Sequence, residues 1–132
     1  MKSTKTIYKD VTFRSWNEAT FAEWLDNQGI SWIYEPCTFN ESFVNSTFGD
    51  IEKVRYTPDF FLPDFNTYLE LKPSTGNGHI ADTLKQSHKI QLLRENLGIN
   101  ILQVSRTKKF HRVHYSDGSI GKWKDFLEFL GK

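Results

Sequence analysis

Residues 56–73 read YTPDFFLPDFNTYLELKP, and three of them, Asp59, Glu70 and Lys72, are of types that do chemistry together. Side chains alternate along a strand, so Tyr68, Glu70 and Lys72 share one face and Leu69 and Leu71 the other. The leucines can pack against a helix, which leaves Glu70 and Lys72 pointing to the opposite side. Asp59 precedes Glu70 by eleven residues across one turn, and antiparallel pairing brings it alongside Glu70. Two carboxylates converging near an ammonium make a site for a hard divalent cation. Mg2+ takes oxygen ligands, commonly one or two carboxylates with water and substrate phosphate. Lys72 beside such a site orients a water or stabilises charge on a phosphoryl group. Taken alone, Glu70 and Lys72 are also what a solvent-facing strand shows; Asp59 and a further acid, Glu18, shift the balance toward a site.

Glu18 lies in SWNEATFAEWLDNQGI, the first helical segment. Ser15 is a good N-cap with Glu18 three residues on, as in a capping box, and Gly29 is a helix stop. Glu18, Phe21, Ala22 and Leu25 recur at helical spacing, so Glu18 is either a capping acid or a site acid. Three strands are expected next, ISWIYEP, KVRYTPDFFLPD and NTYLELKP, paired as an antiparallel meander. A short strand is expected around Phe43. STGNG reads as a loop, and a helix follows from Ile80 to Leu97, stopped by Gly98. Gln86, Ile90, Leu93 and Leu97 share a face of it. INILQVS is a buried strand whose place after a helix implies parallel pairing. RVHYSDGSIGKW reads as a hairpin turning at Asp117-Gly118, and WKDFLEFL as a short amphipathic helix. The order, α-β-β-β-α-β with a C-terminal hairpin and short helix, gives an α/β fold with a mixed sheet flanked by helices. Residues 1–132 read as a single domain.

Eleven Phe, five Tyr and four Trp in 132 residues supply a genuine core and argue against disorder. No apolar run approaches the roughly 18 residues a membrane span needs. The polar start, MKSTKTIYKD, lacks the apolar stretch of a signal peptide, so a cytoplasmic location is expected. Cys37 stands alone; no internal disulfide, disulfide-linked partner or Cys-based zinc site is expected. His79, His88, His111 and His114 form no tight ligand set. A net charge of +1 is low for a strong nonspecific nucleic-acid binder, but cations can still segregate to one face. Arg106, Lys108, Lys109 and Arg112 surround Phe110, a pattern that suits a phosphate backbone as well as a solvated surface. Lys85 and Lys89 on the second helix are read the same way. Glu35 is a minor site candidate, and Asp64 after Pro63 a turn former.

Pro58-Asp59 followed by Glu70-Leu71-Lys72 resembles the signature of the PD-(D/E)xK nuclease superfamily. Residues 13–36 resemble the first helix and strand of its small phage-type, transposase-associated and resolvase-like members. The resemblance spans residues 13–105 and implies a restriction-endonuclease-like core. It further implies an endodeoxyribonuclease that hydrolyses phosphodiester bonds with Mg2+, for which Mn2+ can substitute, through a metal-activated water. By the resemblance, Asp59, Glu70 and the backbone carbonyl of Leu71 would ligate the metal, Glu18 would contribute directly or through water, and Lys72 would position the attacking water. Gln86 matches a helix glutamine that faces the site in some relatives, although the aromatic four positions later is here Ile90. DNA is the implied partner. A double-strand cut would need a homodimer or two successive nicks. The alternatives are a noncatalytic nucleic-acid-binding or assembly module on the same fold, and the same chemistry on RNA.

Overall fold

The computed structural model describes residues 5–44, 48–72, 80–106, 111–114, 120–122 and 128. It shows a mixed α/β chain with more strands than helices. Strands β1 (Thr6–Tyr8) and β2 (Val11–Phe13) form an antiparallel hairpin. Lys9 and Asp10 both take positive φ at its turn, the backbone a tight hairpin requires. The usual Asn-Gly or Asp-Gly signal is missing, so pattern reading passes this hairpin over. Asp26 holds it down: its carboxylate accepts from the Tyr8 hydroxyl at 2.6 Å and from Trp32 Nε1 at 3.0 Å, and pairs with Lys9 Nζ at 3.0 Å.

Helix α1 (Trp16–Asn27) starts where the capping residues say it should. Ser15 is extended, and its Oγ accepts the Glu18 N–H at 3.2 Å. Gly29 leaves the helix with φ +72°. Phe21, Ala22 and Leu25 are buried.

The main sheet has six strands in the order β10-β9-β8-β7-β6-β3. These are β3 (Ile33–Tyr34), β6 (Phe60–Leu62), β7 (Thr67–Lys72), β8 (Ile101–Arg106), β9 (His111–His114) and β10 (Ile120–Lys122). Helix α2 (Ile80–Leu97) connects β7 to β8, and that pair is parallel, as a helical crossover requires. The other neighbours are antiparallel. The expected single strand KVRYTPDFFLPD is two. Its first half, β5 (Ile51–Tyr56), pairs with β4 (Phe39–Val44) in a separate two-stranded ribbon, and its second half is β6. Pro58 stands at the break, without the N–H a central ladder needs. ISWIYEP supplies only two strand residues, because Glu35 turns the backbone with φ +44°. The strands β9 and β10 pair as expected. Their turn, the loop 74–78 and all of the closing helix except the helical Glu128 lie outside the described residues.

Apolar side chains fill both faces of the sheet. Phe13, Phe21, Leu25, Phe60, Leu62, Leu69, Leu102 and Val104 pack between it and α1. Val54, Tyr56, Ile90, Leu93 and Ile101 form a second cluster toward α2 and the ribbon. Leu97 was expected on the buried face of α2 but is 41% exposed; it ends the helix, beyond the reach of that cluster. Among the described residues no helix is long and apolar enough to cross a membrane. Cys37 is exposed and unpaired.

Candidate functional site

The register of β6 and β7 pairs Phe60 with Leu69. One step outward, where β6 has ended, Asp59 lies within reach of the Glu70 charge. The Asp59 side chain fills the place of the missing strand. Its Oδ2 accepts the Leu71 N–H at 2.7 Å, a bond the ladder would otherwise have made. Its own backbone stays tied to both neighbours, with Asp59 N–H donating to Leu69 O at 3.1 Å and Asp59 O accepting from Glu35 N–H at 2.9 Å. Pro58, the residue before it, is buried. In an extended strand a residue's N–H and C=O point to the same neighbour. The Leu71 carbonyl is therefore directed to the same side as its N–H, toward Asp59.

The other two acids reach this open end from opposite faces of the sheet. Glu18 comes from α1 and is only 9% exposed. The Tyr34 hydroxyl donates to its Oε1 at 3.1 Å, and the Ser15 hydroxyl at 3.2 Å. In a capping box the acid accepts the backbone N–H of the N-cap residue; here its carboxylate is held by two hydroxyls and lies close enough to raise the Asp59 carboxyl. Glu70 comes from the face shared with Tyr68, toward α2. The hydroxyl of buried Tyr56 donates to its Oε1 at 2.6 Å.

The electrostatics follow from this convergence. Burial pushes the Asp59 carboxyl well above the usual carboxylate range, and the charges of Glu70 and then Glu18 push it further, against the Leu71 N–H that favours the anion. Burial raises Tyr56, and the Glu70 charge adds to it, so its hydroxyl stays protonated as a donor. Tyr34 is raised by burial and by Glu18, against the Arg14 N–H it accepts.

Abutting carboxylates need a proton or a cation between them. Asp59, Glu18, Glu70 and the Leu71 carbonyl offer oxygen alone, the donor set of a hard divalent ion. Among the described residues no group of three or more His, Cys, Asp or Glu side chains is placed to hold a metal ion by itself. Magnesium does not require such a group, because it commonly keeps several waters and binds one or two carboxylates.

Lys72 lies on β7 two residues beyond Glu70, paired with Ser105 of β8; its side chain is outside the described residues, as are those of Gln86 and Lys85 on α2. Arg106 ends β8 and Arg112 pairs with Ser105 and Lys122, again without described side chains, and Lys108 and Lys109 lie outside altogether. Lys89 Nζ donates to the Arg55 carbonyl at 3.2 Å, placing it beside the ribbon. Glu35 pairs with Arg14 at 2.9 Å and contributes its backbone N–H. Asp64 is exposed in a 3-10 turn, Pro63–Phe65.

Pattern reading missed Tyr56 and Tyr34, the hydroxyls that hold the acids. Tyr56 had no signal, because it depends on β5 leaving the main sheet just before Asp59. Tyr34 had a weak one, since it alternates with Ile33 on the strand after α1. Comparison with protein-family models, curated proteins and solved structures gave no match.

Proposed function

We propose that this chain is a Mg2+-dependent DNA endonuclease with a restriction-endonuclease-like core of the PD-(D/E)xK type. The observation that carries the reading is the meeting of Asp59 with Glu18 and Glu70 at the end of β6, with the Asp59 carboxyl driven far from its usual range. A strongly perturbed acid met by others from separate elements is a mark of functional sites.

Asp59, Glu70 and the Leu71 carbonyl would hold the ion, with Glu18 contributing directly or through water. Bound there, Mg2+ supplies Lewis-acid polarisation of the phosphoryl oxygen and lowers the pKa of water. The chain's own work is to keep the acids in place. Leu71 N–H fixes one Asp59 oxygen, Tyr56 fixes Glu70, and Tyr34 and Ser15 fix Glu18. Lys72, two residues past Glu70 on β7, is assigned to orient the attacking water and offset charge on the phosphoryl group.

A panel of linear, nicked, flap and four-way DNA, with matched RNA, tests the reading when incubated with and without Mg2+ or Mn2+. Cleavage of DNA that needs the metal and disappears in Asp59→Ala and Lys72→Ala, both retaining the wild-type circular dichroism spectrum, is the expected result. An absence of cleavage on every DNA form with either ion would overturn it.

A further inference from the structure

The ribbon β4–β5 has two unlike faces. Its register pairs Phe39 with Tyr56, Glu41 with Val54 and Phe43 with Glu52, and these residues lie on the inner face. Val54 and Tyr56 are buried, with Phe39 and Phe43 packed beside them. Glu52 on that face is paired with His88 of α2. The alternate positions, Asn40 with Arg55, Ser42 with Lys53 and Val44 with Ile51, are all exposed. The outer face therefore presents two cations and two small polar groups with no acid among them. Lys89 Nζ, against the Arg55 carbonyl, adds a third cation at its edge. Val44 and Ile51, 72% and 68% exposed, make the far end apolar.

We propose that the outer face of this ribbon is a duplex-DNA docking surface that delivers the substrate to the proposed nuclease site. Charge complementarity selects a polyanion: the ribbon keeps its acids inside and its cations outside. Size selects a groove. Two strands about 4.8 Å apart fit the major groove, which is about 12 Å wide and admits a two-stranded ribbon. Exposed apolar side chains at the end suit contact with thymine methyls or base steps. Arg55 is four residues ahead of Asp59 in the chain, and Tyr56 between them holds Glu70, so the ribbon is anchored directly at the acids. The inference rests on the nuclease reading for its purpose, but binding is measured apart from cleavage.

The test is fluorescence anisotropy of a labelled duplex in EDTA over a range of salt, for wild type, K53A/R55A and the site variant Glu70→Gln. Loss of two phosphate contacts lowers the slope of log affinity against log salt by about 2 and weakens binding at low salt by about 10-fold or more. Glu70→Gln should bind at least as tightly as wild type. Unchanged slope and affinity in K53A/R55A, with an unchanged melting temperature, would overturn the proposal. So would a stronger dependence on Lys53 and Arg55 for duplex RNA than for duplex DNA. A wild-type protein that binds DNA through the ribbon but cuts none upholds the docking surface and removes the nuclease reading.

Discussion

Asp59 is costly to the metal-free protein and is the residue on which the proposed chemistry turns. Its folded-state acidity is weakened by burial and by Glu70 and Glu18. The penalty for ionising it in the fold is absent at low pH, grows as pH rises above the ordinary carboxylate range, and is complete once pH passes the raised value. Asp59→Asn keeps an acceptor for the Leu71 N–H and removes the charge. In EDTA it should melt at a higher temperature than wild type at pH 8, with a smaller difference between pH 5 and pH 8, while losing all cleavage. Thermal melts at the two pH values check this. Tyr56 acts through Glu70. Tyr56→Phe deletes a buried donor, and the hydrogen bond to a charged group is worth about 1.5–3 kcal/mol. Metal affinity should fall about 10-fold or more, as for other residues that orient ligands, with the far-ultraviolet spectrum unchanged.

At the scale of elements, the site exists because β6 stops early. Pro58 stands just past the end of the ladder, and Asp59 takes up the Leu71 N–H. The two helices were legible because their caps and periodicity are local: Ser15, Gly29 and Gly98 mark ends that the structure reproduces. The parallel β7–β8 pair followed from the intervening helix, and one turn brings Asp59 within reach of the Glu70 charge. The ribbon was not legible. Residues 51–62 read as one extended run, and the break at Pro58 that sends β5 to pair with β4 instead of the main sheet is set by tertiary pairing that local pattern does not reveal. The N-terminal hairpin was hidden because Lys9 and Asp10 adopt a backbone usually reserved for glycine and asparagine.

Across the whole molecule, two apolar layers meet one sheet, and the acids belong to different layers. Glu18 rides on the α1 side, Glu70 faces α2, and Asp59 joins them where the sheet opens. Such a site depends on both layers keeping their spacing. Phe60 is fully buried and contacts Phe21 and Trp32 edge-on across the α1 layer. Phe60→Leu should cost about 1–2 kcal/mol through lost packing, readable as a lower urea midpoint, and should reduce cleavage more than the stability loss alone explains. The most direct measurement of the central claim is calorimetric titration of Ca2+ or Mg2+ into wild type, Glu18→Gln, Asp59→Asn and Glu70→Gln. Binding by the wild type that is lost in Asp59→Asn and Glu70→Gln and weakened in Glu18→Gln is the predicted result. Metal affinity indifferent to all three substitutions, or no binding by the wild type, would contradict it.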